Sequence, residues 1–383
     1  MKLRPPLDRQ AFEKLRRIAP TQLEARRDPA DWGARPLPEE LAFKLTNRCD
    51  LRCAHCYQWN DQGYHRRLSA EESGDLSLPI IAKVLKATRE LRSNVFLWGG
   101  EPMLYREWNG LMDLLAADRR WTTICTNGTF VERCLASLLP ISSQTELLLA
   151  IDGFEPEHDA LRGKGAFSRT LAALRLLVNQ KRAGVYRGEI SVNCLISDPL
   201  VIRLFQLVEF LESEGAETVI LSLPWYLSDE TSAKMDAFFA LHFPDRLKPA
   251  QPSWHSYKFR LDPASQDDLR HQLARLDRAH WRLKLRYNPA LSSTELGDFL
   301  RGGDKPAQGK TRCLALRTRL EVFPTGEAVS CKFFPEFTVG NLRNEAVAEV
   351  WHSGSYNRIR ETVATCGLMP VCAQCNLLYS RGA

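Results

Sequence analysis

Across residues 41–227, short apolar runs alternate with stretches whose apolar positions recur at helical spacing. The runs at 41–46, 94–98, 122–126, 146–151, 189–196 and 218–223 are nearly continuous in hydrophobicity and read as strands. The segments at 79–91, 108–115, 130–139, 167–183 and 200–214 read as the helices between them. Ser77 and Pro79 mark the cap and first turn of the first helix, and Gly184 the stop of the fourth. Strands apolar on both faces, joined by helical crossovers, predict a parallel sheet of about six strands with helices outside. In such a sheet, ligands sit at the C-terminal ends of the strands.

The flanks differ. Residues 1–38 are charged, helix-prone from Phe12 to Ile18, and end in Arg35-Pro36-Leu37-Pro38. About forty residues are too few for an independent domain. Residues 228–311 turn helical and less regular, with amphipathic stretches at 230–243 and 264–281. Their aromatics, Phe238, Phe239, Phe243, Trp254, Tyr257, Phe259 and Trp281, read either as core or as a lid over a substrate. Beyond them, two short strands flank Thr325-Gly326-Glu327 as a hairpin, and a helix runs through Trp351. The expected organisation is an N-terminal helical extension (1–38), an α/β core (39–227), a helical linker or lid (228–311) and a small C-terminal domain (312–383).

Composition narrows the partners. The 383 residues are 44% hydrophobic and 26% charged, as in ordinary globular proteins. The net charge of +6 is scattered without a long basic block, which argues against nucleic acid. The N-terminus lacks an apolar signal region, and no apolar run approaches a membrane span. The expectation is a cytoplasmic protein with neither a nucleic-acid nor a membrane partner. In a reducing compartment, clusters among eleven cysteines mean metal rather than disulfides.

Three of those cysteines form C-x3-C-x2-C at Cys49, Cys53 and Cys56, directly after the first strand. Thiolates this close must curl a loop around one metal centre. Three is one too few for a cubane cluster, so one iron keeps an open coordination site. Zinc is the alternative, but zinc loops usually pair two knuckles, and no second half lies nearby.

With His55 before its third cysteine and Tyr57 after it, this loop resembles the cluster loop of the radical S-adenosylmethionine (radical SAM) superfamily. The resemblance continues in Gly99-Gly100-Glu101-Pro102 after the second strand and Thr126-Asn127-Gly128 after the third. After the fourth come Asp152-Gly153, His158-Asp159 and Arg162-Gly163. It implies a partial (β/α)6 barrel, a 4Fe-4S cluster on Cys49, Cys53 and Cys56, and S-adenosylmethionine (SAM) as cofactor. The residues it implies around SAM are His55, Tyr57, Gly99, Gly100, Glu101, Pro102, Asn127, Asp152, Arg162 and Asn193. Glu101 would take the methionine amino group and Arg162 the carboxylate. Ala150 stands where the family often has a Ser that meets the ribose. The implied chemistry is reductive cleavage of SAM to a 5′-deoxyadenosyl radical, then hydrogen abstraction from an unactivated C–H bond. Without the resemblance, Gly99-Gly100 and Asn127 are turn signals and Asn193 a satisfied core amide. Cys125, Cys134 and Cys194 read as small buried hydrophobes.

A second constellation closes the chain. Cys313, Cys331, Cys372 and Cys375 supply four thiolates, the complement of a closed cluster or a zinc ribbon. The hairpin's G-x4-C, Val339-Gly340-Asn341-Leu342 and the terminal C-x2-C resemble the SPASM/Twitch auxiliary domains, at their single-cluster Twitch end. The resemblance implies an auxiliary 4Fe-4S cluster used for electron transfer, with Cys366 as a further ligand, a free thiol or a substrate-contacting residue. Sulfatase-maturing relatives carry an Asp base after the hairpin cysteine; Lys332 stands here instead, which argues against formylglycine formation. The expected function is oxidative modification, such as cross-linking, of a ribosomally made precursor peptide. Its expected partners are an external one-electron reductant (flavodoxin or ferredoxin) and a separate leader-binding protein. The alternative is dehydrogenation or epimerisation of a small molecule such as an amino-sugar.

Overall fold

The computed structural model describes residues 35–69, 73–246 and 249–383. Ten strands form one sheet: β1 (Glu40–Lys44), β2 (Asn94–Trp98), β3 (Thr122–Thr126), β4 (Thr145–Ala150), β5 (Glu189–Leu195), β6 (Thr218–Ser222), β7 (Lys284–Asn288), β8 (Arg319–Val322), β9 (Glu327–Val329) and β10 (Thr338–Asn341). Their order is β10-β9-β8-β1-β2-β3-β4-β5-β6-β7. The six expected strands are β1 to β6, parallel and side by side in chain order. They form the α/β sheet of a partial barrel. β7 adds in parallel to β6, and β8 in parallel to β1, so the core strands have a further parallel neighbour at each end.

The crossovers are α1 (Leu78–Ala87), α2 (Trp108–Ala117), α3 (Val131–Leu138), α4 (Glu155–Arg162), α5 (Ala166–Arg182) and α6 (Leu204–Ser213). Strand residues such as Leu97, Ile124, Leu147, Leu149, Val192 and Val219 are buried in the main core. Their alternates Phe96, Cys125, Leu148 and Asn193 are only partly buried and share the other face, which leaves the C-terminal mouth of the sheet accessible. Gly184, at φ +73°, does end α5. Ser77 stands at the N-cap of α1 without a side-chain cap bond; Glu107 instead accepts from the Leu78 N–H at 3.1 Å.

Three elements depart from the hydrophobic pattern. The segment 228–311, read as helical, contains β7, whose Lys284-Leu285-Arg286-Tyr287-Asn288 alternates polar and apolar as an outer strand does. α4 is only eight residues long and polar on balance, so it offers few apolar positions to recur. The 200–214 helix is broken at Ile202 and Arg203, leaving a short turn (Asp198–Val201) before α6. The amphipathic stretches become α7 (Asp229–His242) and α8 (Gln266–Arg278). Phe239, Phe243, Trp254 and Tyr257 are core residues.

β8 and β9 form the expected hairpin, with Gly326 at φ +85° in its turn. β10 then pairs antiparallel to β9, and α9 (Gly354–Cys366) leads to the last cysteines. The helix expected from Phe12 to Ile18 lies outside the described residues. Among the described residues, no helix is long and apolar enough to cross a membrane.

Candidate active site

β1 and β2 end side by side, and the chain leaving each builds the site. The Gly100 N–H donates to the Thr46 carbonyl and the Glu101 N–H to the Arg48 carbonyl, both at 2.8 Å. A Cβ on Gly100 would stand 2.2 Å from the Arg48 carbonyl oxygen, and one on Gly99 2.5 Å from that of Thr46. The glycine pair is thus a seat for the cysteine loop; the close approach it permits is to backbone. Arg48 secures the loop from the other side, with Nη2 2.8 Å from Asp75 Oδ2 and 2.9 Å from the Leu104 carbonyl.

On this seat Cys49, Cys53 and Cys56 come together against a small apolar cluster of their own that includes Leu51 and Ala166. Burial pushes all three thiols up, Cys53 to about 11. Such sulfurs are neutral in the bare protein and ionise only when a cation takes the place of the proton.

Glu101 is 1% exposed and joins two turns. Its Oε1 accepts from the Met103 N–H at 3.0 Å and the Thr126 hydroxyl at 2.7 Å; its Oε2 accepts from the Asn127 N–H at 2.8 Å. Burial still lifts this carboxyl to about 7. Asn127 donates from Nδ2 to Asp50 Oδ1 at 2.8 Å, which ties the cysteine loop to the end of β3. Asp50 and Thr126 lie inside the cysteine and Thr126-Asn127-Gly128 motifs, but spacing alone gives neither a role.

Asp152 is fully buried after β4. It accepts from the Arg162 Nε at 2.6 Å and from the Leu195 N–H at 2.8 Å. Burial opposes its ionisation, but the Arg162 guanidinium and His55 outweigh that and hold the carboxyl below its ordinary range. Arg162 in turn places Nη1 3.9 Å from Cys53 Sγ. His55 is half-buried with Nε2 3.9 Å from Asp152 Oδ2, and desolvation drops its pKa to about 4. Its Nδ1 has no partner among the described residues.

Of the other expected residues, Pro102 opens the turn that Glu101 caps. Asn193 is half-buried on β5 and accepts from the Ser222 hydroxyl at 2.7 Å. Tyr57 lies flat on Tyr257, with centroids 4.5 Å apart. Cys134 and Cys194 are buried as expected. Cys125 is only partly buried; burial pushes its thiol up, with smaller effects from Lys332, Glu101, Arg162 and Asp152. A cavity of about 680 Å³ runs beside the cysteine loop, lined by Arg52, Trp59, Lys258 and Phe259 among others.

The hairpin and the C-terminal turn assemble the second site. Cys313, Cys331, Cys372 and Cys375 line one enclosed cavity, walled otherwise by apolar groups such as Phe334, Met369 and Leu378. Cys375 donates its N–H to the Cys372 carbonyl at 3.0 Å, so the last pair sits on a single tight turn. Burial pushes all four thiols up, Cys375 to about 12. Cys366 is not with them: it is exposed at the end of α9, with Sγ 3.9 Å from His242 Nδ1.

Comparison with known proteins places these residues in context. The family model for the radical SAM superfamily matches residues 43–187, and that for the SPASM iron–sulfur cluster-binding domain matches 313–376. The chain is 30% identical over 153 residues to the mycofactocin maturase MftC of Mycolicibacterium smegmatis, across 40% of this chain and 36% of that protein. It is 32% identical over 151 residues to the Fe-coproporphyrin III synthase of Methanosarcina barkeri, across 39% of this chain and 35% of that protein. Each match thus spans little more than a third of the relative's length. In fold, the chain is similar to Streptococcus suis SuiB bound to its precursor peptide SuiA. The TM-score is 0.59 at 16% identity, covering 94% of this chain and 74% of that one.

Proposed function

We infer that the chain belongs to the radical SAM superfamily and carries a SPASM domain, because those family models match residues 43–187 and 313–376. From that premise we propose that it uses S-adenosylmethionine to modify an unactivated C–H bond of a ribosomally made peptide oxidatively. The observation that carries this reading is the division of the cysteines. Three are gathered on one loop at the C-terminal end of β1, and four line one cavity beside the β8–β9 hairpin.

The residues present fit the groups that the family uses. Three neutral thiols on one loop suit a 4Fe-4S cluster that keeps one iron free of protein ligands. The unpartnered His55 Nδ1 beside them is a buried polar atom that a cofactor would satisfy. Four thiols around an apolar cavity suit a closed auxiliary cluster. When bound, these groups supply one-electron cleavage of S-adenosylmethionine, hydrogen abstraction by the resulting 5′-deoxyadenosyl radical, and a sink for the second electron.

The chain's own residues bind and orient. Cys49, Cys53 and Cys56 would hold the first cluster, and Cys313, Cys331, Cys372 and Cys375 the second. A carboxylate offers about four acceptor directions, of which Glu101 uses three, so one remains for the cofactor's ammonium. Arg162, fixed by Asp152 next to Cys53, presents a guanidinium suited to the cofactor's carboxylate. His55 stays neutral and serves as a hydrogen-bonding wall. An external one-electron donor, flavodoxin or ferredoxin, and a leader-binding protein complete the reading.

The peptide substrate draws support from the likeness to a mycofactocin maturase over the core. A second reading, a small molecule, draws support from the comparable likeness to an Fe-coproporphyrin III synthase. Anaerobically reconstituted protein with dithionite and S-adenosylmethionine should form 5′-deoxyadenosine, and a Cys53→Ala variant should form none. A peptide product lighter by a pair of hydrogens supports the first reading; turnover of a small molecule with no peptide requirement would replace it with the second.

A further inference from the structure

Where β1, β2 and β8 adjoin, cations outnumber carboxylates. Lys44, Arg319 and Lys332 stand there against Glu40 and Glu321, and both carboxylates are committed. Glu40 pairs with Arg319 and Arg381. Glu321 takes the Arg319 Nε on one oxygen and the Trp98 indole N–H, at 3.2 Å, on the other. Lys44 is 1% exposed and its ammonium meets His65 Nε2 at 2.8 Å.

Lys332 is the cation left over. It is half-buried; Arg319 repels it and Glu321 attracts it through space, with no ion pair among the described residues. Its ammonium lies over aromatic faces instead, 4.3 Å from the Phe96 centroid, 4.7 Å from that of Trp98 and 5.5 Å from that of Phe333. Ring faces stabilise a cation less than a carboxylate does, so three rings hold Lys332 in place without neutralising it. Its position is central. Phe96, beneath its ammonium, shares the partly buried face of the sheet with Cys125, Leu148 and Asn193.

We propose that the Lys332 ammonium, framed by Phe96 and Trp98, anchors a carboxylate of the substrate next to the reacting carbon. An aspartate or glutamate side chain or a peptide C-terminus supplies that group. The inference deepens the proposed function and takes from it the reading of the sheet's mouth as the substrate chamber. A lysine presents a compact point charge with rotatable donors, which suits a carboxylate arriving in varied orientations, while the rings exclude water and accept an apolar neighbour.

3-Phenylpropionate and 3-phenylpropionamide are matched in shape and differ in charge. Each is titrated calorimetrically into anaerobically reconstituted holoenzyme with S-adenosylmethionine, for the wild type, Lys332→Gln and Lys332→Arg. The acid should bind the wild type about tenfold more tightly than the amide, with the ratio falling to about one in Lys332→Gln and persisting in Lys332→Arg. Equal binding of both probes by the wild type, binding of neither, or a preference that survives in Lys332→Gln would overturn the proposal. The wild-type ratio decides even if Lys332→Gln loses iron at neighbouring Cys331. Substrate-free 5′-deoxyadenosine formation, followed in the same preparations, reports on the radical SAM reading separately from Lys332.

Discussion

Arg162 donates from Nε to Asp152 Oδ2 at 2.6 Å, and Asp152 is fully buried when it accepts. A buried carboxylate and guanidinium hold each other charged, and removing one strands the other in a low-dielectric interior. Asp152→Asn keeps the volume and removes the charge. It should destabilise the fold by about 3–5 kcal/mol, read as a lower urea midpoint, because Arg162 loses its partner beside Cys53. A change near zero would mean that the pair is not the clamp on the cysteine loop.

Gly100 makes the sharpest steric prediction. Its Cβ position lies 2.2 Å from the Arg48 carbonyl oxygen, so Gly100→Ala must push the cysteine loop off the end of β2. The cost should be about 1–3 kcal/mol, accompanied by lost iron at the loop. Gly354→Ala, where a Cβ meets nothing within 4 Å, is the control expected to leave iron content unchanged.

Glu101 carries a pH signature. Burial raises its carboxyl from 4.5 to about 7, so the folded chain favours the protonated form between those values. The stability tied to this group is complete below about pH 4.5 and is lost as pH rises through about 7. Binding a cofactor ammonium needs the carboxylate. S-adenosylmethionine affinity should therefore weaken toward tenfold per unit as pH falls below about 7, and Glu101→Gln should flatten that profile. Equilibrium binding across this range checks it, and a flat wild-type profile would remove Glu101 from the ammonium site.

Much of this site could be read from residue spacing, and its limits have physical causes. C-x3-C-x2-C and the six core strands announced themselves because clustered thiols and near-continuous apolar strands leave dense local patterns. β7 escaped because none of Lys284-Leu285-Arg286-Tyr287-Asn288 is fully buried, and α4 because five of its eight residues are charged or polar. Gly99 and Gly100 were legible as turn residues, but that they seat the cysteine loop depends on a chain segment fifty residues earlier. The charge excess at Lys332 involves β1, β2 and β8, and no local pattern encodes it.

Cys366 separates the two cysteine readings cleanly. It is exposed on α9, away from the cavity that the other four line. Cys366→Ser should keep full iron content and thermal stability, whereas Cys331→Ser should lose iron from the second site only. Iron loss in Cys366→Ser would make it a ligand after rearrangement of α9.

The most direct measurement is iron and acid-labile sulfide per chain after anaerobic reconstitution, for the wild type and a Cys49/Cys53/Cys56→Ala variant. Two cubane clusters on separate cysteine sets predict about eight irons falling to about four, with all 5′-deoxyadenosine formation lost in the variant. About four irons vanishing in the variant would leave the second site empty or zinc-filled. That result would contradict the electron sink, and with it the oxidative chemistry.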